Sequence, residues 1–411
     1  MKNILGLTLG IMTSLGGFVD IGQLVFTMQA GALFGYRLIW VVMLGTIGII
    51  LFMEMCGRIA AVQHRPVFHL IRERMGKRWG WVALIGANAV NIITCAAEIG
   101  AMAIVLRLLT GWSYGWLLVG AVSLLLVTVW FVRFKWLERT FGLAGLFMLV
   151  YLFSCVHSRP DWHAAAAGLL PQLPHGDGKH LLLYCYFAVG IFSAVLMPYE
   201  VYFYSSGGIE EDWNAKQIPE NRLVASVSSS LGGLLTISIV VLGAVFFLPQ
   251  GIFPDLLSTA AMAAALPYGR TALLLSLLGI LAAVSGAAIE TALSTAYNVC
   301  QFLDWKWGKA FPAREVPRFT KLWVGTFLVA FAIVMTHINP MTLVQASVIF
   351  AVLILPATYL PVLLVANDKK EMGKHANGRA MRIFGWIFFV LLSIAALAGV
   401  PLLVLTHGGQ P

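Results

Sequence analysis

Two carboxylates stand where an otherwise apolar chain has little ordinary use for them. Asp20 sits in TSLGGFVDIGQLVFTMQ, among Gly16, Gly17 and Gly22 and just before Gln23. Glu200 sits in VLMPYEVYFYSSGG, immediately after Met197, Pro198 and Tyr199. Oxygens from Asp20, Gln23 and Glu200, carbonyls freed by a helix break and the thioether of Met197 make a donor set suited to a divalent cation. Two further carboxylates stand in apolar runs. Glu98 is a protonatable group in AAEIGAMAIVL, and Glu290 in IETALSTAYN lies beside Thr291, Ser294, Thr295 and Asn298. The Glu290 face reads either as the wall of a vestibule or as a buried hydrogen-bond network. Glu54 precedes Arg58 by one helical turn, the spacing of a structural ion pair. His157, His163, His175 and His180 share one connection, which reads as a solvated loop.

These groups must be positioned by elements that live in lipid. Hydrophobic residues make up 60% of the 411 residues, charged residues 11%, and mean hydropathy is +0.86. That composition excludes a soluble domain and describes an all-α integral membrane protein. The apolar runs are continuous rather than alternating, which excludes a transmembrane barrel. Spans are expected near 4–32, 36–62, 80–109, 112–132, 140–157, 180–206, 222–248, 268–302, 319–337, 341–366 and 380–406, about eleven in all. The first begins at the N-terminus with no small-residue cleavage site after it, and reads as a retained span. Lys and Arg concentrate in the even-to-odd connections: Arg65, Arg72 and Arg74; Arg133, Lys135 and Arg139; Lys306, Lys309 and Arg314; Lys369, Lys370 and Lys374. The positive-inside rule then puts the N-terminus in the cytoplasm and the C-terminus outside, in a plasma (inner) membrane. Topology thus accounts for the net charge of +9, and no nucleic-acid role is needed. Five cysteines without CxxC spacing offer neither a disulfide framework nor a zinc site.

A broken membrane helix frees backbone groups at a cost of several kcal/mol each, so it usually marks a binding site. Spans 1 and 6 look broken, and they open two successive groups of five. That placement predicts a 5+5 inverted repeat: one transmembrane transporter domain over 1–411, with repeat one about 1–157, repeat two about 180–366 and an extra helix about 380–406. A carboxylate deep in a span costs roughly 2.5–3.5 kcal/mol on insertion scales. Two of them, both at breaks, favour a site over two unrelated buried acids.

The chain resembles the natural resistance-associated macrophage protein (NRAMP) family of divalent-metal transporters. FGYRLIW (Phe34–Trp40), GRIAAV (Gly57–Val62), AAEIGAMAIVL (Ala96–Leu106) and MGKHAN (Met372–Asn377) resemble family segments in matching order over nearly the whole chain. The family's Asp-Pro-Gly-Asn and Met-Pro-His-Asn motifs stand here as Asp20-Ile21-Gly22-Gln23 and Met197-Pro198-Tyr199-Glu200. The resemblance implies the fold of the sodium-coupled amino-acid transporters, with broken helices 1 and 6 and alternating access around a midplane site. It implies metal ligation by Asp20, Met197 and the carbonyl of Ala194, and a proton route through Glu98. Departures are Ile21 for proline, Gln23 and Glu200 for asparagines, Tyr199 and Tyr204 at positions commonly histidine, and Cys95 and Lys321 for an aspartate and an arginine. In span 10, Val348 rather than Gln345 lines up with the family's glutamine.

The expected function is therefore a secondary transporter for a divalent metal ion, with altered or absent proton coupling, no bound organic cofactor and no enzymatic motif. The thioether favours an Mn²⁺- or Fe²⁺-like ion, whereas Glu200 adds a hard oxygen that suits Mg²⁺ or Ca²⁺. An amino-acid or organic-solute carrier of the same fold, or a transport-dead membrane sensor, remain as alternatives. The partners are the ion and the bilayer; oligomeric state is left open, with a monomer as the simplest reading.

Overall fold

The computed structural model describes residues 20–174 and 178–409. Among them, sixteen α-helices follow in chain order. They are α1 (Ile21–Phe34), α2 (Ile39–Gln63), α3 (Val67–Thr110), α4 (Tyr114–Phe131), α5 (Phe134–Gly145), α6 (Leu149–His157), α7 (Trp162–Ala167) and α8 (Gly178–Val195). Then come α9 (Pro198–Glu210), α10 (Ile218–Phe246), α11 (Leu257–Ala265), α12 (Arg270–Leu303), α13 (Pro317–Met335), α14 (Pro340–Asn367), α15 (Lys369–Met372) and α16 (Arg379–Leu405). No strand occurs among the described residues. Among the described residues, ten stretches are long and apolar enough to span a bilayer, and they match the expected spans from the second to the eleventh. The 14 residues of α1 are too few to cross a core of about 30 Å alone. Residues 4–19 of the expected first span, with Gly16 and Gly17, lie outside the described residues, as does His175 of the histidine-bearing loop.

The break expected in span 6 is present between α8 and α9. Met197 has extended ψ (φ −56°, ψ 122°), and Pro198 opens α9 at its first position, where a missing N–H costs nothing. The third span begins earlier than hydropathy predicts. α3 carries a charged first stretch, HLIRERM, too polar to register as a span, and turns at Gly76, whose φ of 74° favours glycine.

Packing centres on α3, which contacts α12 and α14 most extensively, and on α1, which lies along α10. A Cβ on Gly31 would stand 2.1 Å from the Val240 carbonyl oxygen, so α1 and α10 meet backbone to backbone. Large exposed apolar side chains crowd α4 and α16, the faces offered to lipid. Trp79 and Trp81, just past the turn at Gly76, and Trp112 and Trp116, at the α3–α4 connection, stand exposed as interfacial anchors do.

Candidate functional site

The helix break and the start of α1 bring most of the expected site residues together. Asp20 caps α1: Gln23 N donates to its Oδ1 at 2.8 Å, and the Tyr199 hydroxyl donates to its Oδ2 at 3.2 Å. Gly22 is needed here because a Cβ would meet Val348 Cγ2 at 2.9 Å and Asp20 Oδ1 at 3.1 Å. The Gln23 side chain ties α1 to two neighbours. Its Nε2 donates to the carbonyl oxygen of Ala194 at 2.9 Å, and its Oε1 accepts from Thr236 of α10 at 3.5 Å. The carbonyl that the family resemblance assigns to a metal is thus occupied by an amide of the same chain.

Ile21 makes the second departure from the motif consequential. Its backbone N–H donates to Glu98 Oε1 at 3.3 Å, a bond that a proline at this position could not form. Glu98 Oε2 is buried with no hydrogen-bond partner.

Glu200 stands in the first turn of α9, 5% exposed, and neither of its carboxylate oxygens has a partner among the described residues. The Tyr199 ring is enclosed, and its carbonyl oxygen accepts from Ser294 of α12 at 2.9 Å. Met197 is fully buried in a small apolar cluster with Val90, Tyr199, Ala287 and Ala351. Asp20, Glu98, Glu200 and Glu290 all lie within electrostatic reach of the Tyr199 phenol. None of the four forms a salt bridge among the described residues. Nor, among those residues, do three His, Cys, Asp or Glu side chains converge as a ready-made metal cage. The arrangement is a buried cluster of carboxyl groups, with several of its oxygens already engaged by protein donors.

A polar face of α3 runs on from this cluster. Asn88, Asn91, Cys95 and Glu98 share one side of the helix by their spacing. Asn298 Nδ2 donates to Asn88 Oδ1 at 3.1 Å, and Cys95 Sγ faces the Ala288 carbonyl at 3.7 Å. Both side-chain polar atoms of Asn91 are buried without partners, as are Tyr202 Oη and Ser205 Oγ on α9. The asparagines were not anticipated from sequence, although their three- and four-residue spacing ahead of Glu98 was the available signal.

Other expected residues fall elsewhere. Tyr204 donates to Asn221 Oδ1 at 2.6 Å and packs edge-on against Trp213, away from Asp20. Val348 does line the site, against Gly22, whereas Gln345 lies beside Gly408. Lys321 is exposed on α13. The rings of His157 and His180 pack separately, against Tyr268 and Phe34. Glu54 is paired with Arg58 at 2.9 Å and with Arg222 at 3.1 Å. Arg58 in turn donates to the His375 carbonyl and, at 2.5 Å, to Asn377 Oδ1, which docks the MGKHAN segment.

Residues 10–401 match the family described as natural resistance-associated macrophage protein-like. The chain is 28% identical over 388 residues to the divalent metal cation transporter MntH of Deinococcus radiodurans, covering 91% of this chain and 85% of that protein. In structure it superposes on a manganese transporter of Eremococcus coleocola with a TM-score of 0.76 at 20% identity, over 98% of this chain and 87% of the other. It also shares its fold, at a TM-score of 0.58 and 13% identity, with Mhp1, a nucleobase-cation-symport-1 family transporter, over 97% of this chain and 90% of that one.

Proposed function

The chain belongs to the natural resistance-associated macrophage protein-like family, and from that premise we propose that it is a secondary transporter carrying a divalent metal cation across the membrane by alternating access. One observation carries this reading: among the described residues, buried Glu200 has no hydrogen-bond partner on either carboxylate oxygen, three other carboxylates stand near, and no arginine or lysine pairs with it. Buried charge persists where something outside the chain supplies the opposite sign. The cargo ion does so. Asp20, Gln23, the Ala194 carbonyl, Met197 and Glu200 are the proposed ligands. To bind, the ion displaces the Gln23 amide from Ala194 and the Tyr199 hydroxyl from Asp20. The proposed organisation is two inverted repeats, about 1–157 and 180–366, followed by α16. The basic helix ends face the cytoplasm.

Mn²⁺ or Fe²⁺ is the favoured cargo because Met197 offers sulfur at the break. Mg²⁺ is the second reading, and a specific observation favours it: Met197 packs among apolar side chains, while Glu200 presents two hard oxygens. Proton coupling is weak in this reading, because tyrosines stand at 199 and 204 where the family commonly has histidines, and Glu98 Oε1 accepts from the Ile21 N–H. Isothermal titration of the purified protein with Mn²⁺, Cd²⁺, Mg²⁺ and Ca²⁺ orders the ions, and uptake into proteoliposomes carrying a pH-sensitive dye tests coupling. Saturable uptake with little acidification is expected. No binding of any divalent ion would end the reading, and stoichiometric acidification that survives Glu98→Gln would end its account of coupling.

A further inference from the structure

The second polar region of the molecule is an open cavity of about 260 Å³ at the basic ends of α2, α10 and α16. Its walls include Ile50, Glu54, Arg58, Arg222, Gly378 and Met381. We propose that this cavity binds the phosphodiester headgroup of an anionic glycerophospholipid, whose acyl chain runs along the outer face of α2.

Charge points to an anion. Two guanidiniums, of Arg58 and Arg222, stand against the single carboxylate of Glu54. The Arg58 guanidinium is buried and spent on Glu54, His375 and Asn377. Arg222 is different: only its Nε is engaged, with Glu54 at 3.1 Å, and its side chain is 63% exposed. Its Nη groups form a planar fork of the kind that grips a phosphate. The N-terminus of α16 adds to this, since its cap residue, Gly378, lines the cavity and supplies no side-chain hydrogen bond to the first turn. Glu54 in the wall weighs against a doubly charged phosphomonoester, so a singly charged phosphodiester suits the site better.

An apolar track identifies the ligand as lipid. Met43, Ile47 and Ile50 follow one another at four- and three-residue spacing on α2, in line with Glu54. Met43 is 39% and Ile47 48% exposed. On either side of that stripe α2 is clasped: Thr46 lies against Gly233 of α10, and Gly48 against Phe388 of α16. The stripe is therefore the floor of a groove between α10 and α16, leading away from the cavity into the span. Basic pockets between helix ends are a recurrent site for anionic headgroups. In the proposed orientation this one opens to the inner leaflet, although the binding chemistry does not depend on what the protein transports.

The test uses the full chain in detergent, titrated with dioleoylphosphatidylglycerol, dioleoylphosphatidylcholine or glycerol 3-phosphate, and read by thermal unfolding and by lipid adducts in native mass spectrometry. Phosphatidylglycerol should stabilise and be retained, the other two should not. Arg222→Gln, at an exposed side chain, should weaken the lipid about fivefold, the worth of one surface cation. Ile47→Trp, which fills the track, should weaken it comparably without touching a charge. Equal effects of the two lipids would overturn the proposal. So would stabilisation by glycerol 3-phosphate matching that by lipid, or phosphatidylglycerol binding unchanged in both variants.

Discussion

Glu54 and Glu200 are both carboxylates sunk in membrane helices, 4% and 5% exposed, yet their surroundings are opposite. Around Glu54 the chain supplies everything: two arginines, and through Arg58 a docked loop held further by Asn377, which donates to Asn367 at 2.8 Å. Around Glu200, among the described residues, it supplies no hydrogen bond to the carboxylate oxygens and no ion pair. A buried ion pair completed within the chain fixes architecture. A buried carboxylate left incomplete is costly to the fold, and it is retained where a mobile partner completes it. On the proposed reading, the difference separates a structural acid from a binding acid.

The sharpest break of that contrast is removal of Arg58. Arg58→Ala strands Glu54 without its main counter-ion and frees His375 and Asn377 of the docked loop, so thermal unfolding in detergent should show a loss of about 3–5 kcal/mol. If Glu200→Gln proves equally destabilising, the two acids are alike after all. The expectation is the reverse: Glu200→Gln keeps or raises stability, while calorimetry shows Mn²⁺ binding weakened on the order of tenfold or more, about the worth of one charge-assisted contact.

A smaller effect comes from pH. Metal and proton compete for the same oxygens, and ligands must be deprotonated to bind. Affinity should fall as the solution is taken from about pH 7.5 to about pH 5.5, on the order of tenfold. Glu200→Asn should flatten that slope and shift preference from Mg²⁺ towards Mn²⁺. Unchanged affinities and slope in the variant would return Glu200 to a structural role. The smallest effect is expected at Tyr199, whose hydroxyl must leave Asp20 when the ion arrives. Tyr199→Phe should therefore tighten binding by a few-fold; weaker binding would make the phenol a ligand.

The residues that were legible in advance announce themselves against an apolar background. Pro198 foretold the break because a carboxylate, Glu200, follows it within an apolar run and proline suits the first turn of a helix, whereas Pro356, Pro361 and Pro401 sit inside continuous helices. Arg58 one turn after Glu54 foretold their pair. What stayed hidden depends on contacts between distant segments. The bond from Gln23 to the Ala194 carbonyl spans 171 positions, and that from Ile21 to Glu98 spans 77. Backbone donors and acceptors carry no residue-type signature, so no pattern of letters could reveal them. The charged start of α3 escaped for another reason: hydropathy finds what lipid requires and is blind to helices that meet water.

One of those hidden bonds offers a handle for engineering. The donor that holds Glu98 is a main-chain N–H, present for nineteen of the twenty genetically encoded residues and absent for one. Ordinary substitutions at position 21 would change the side chain and leave the tether in place. Ile21→Pro alone deletes it, restores the residue that the family's motif carries, and sets the Glu98 carboxyl free to take up and deliver protons. If the tether is what idles that carboxyl, this one codon change should increase acidification of the vesicle lumen during uptake, and a second change, Glu98→Gln, should abolish the gain. Weak coupling would then be a reversible setting of the fold rather than an accumulated loss.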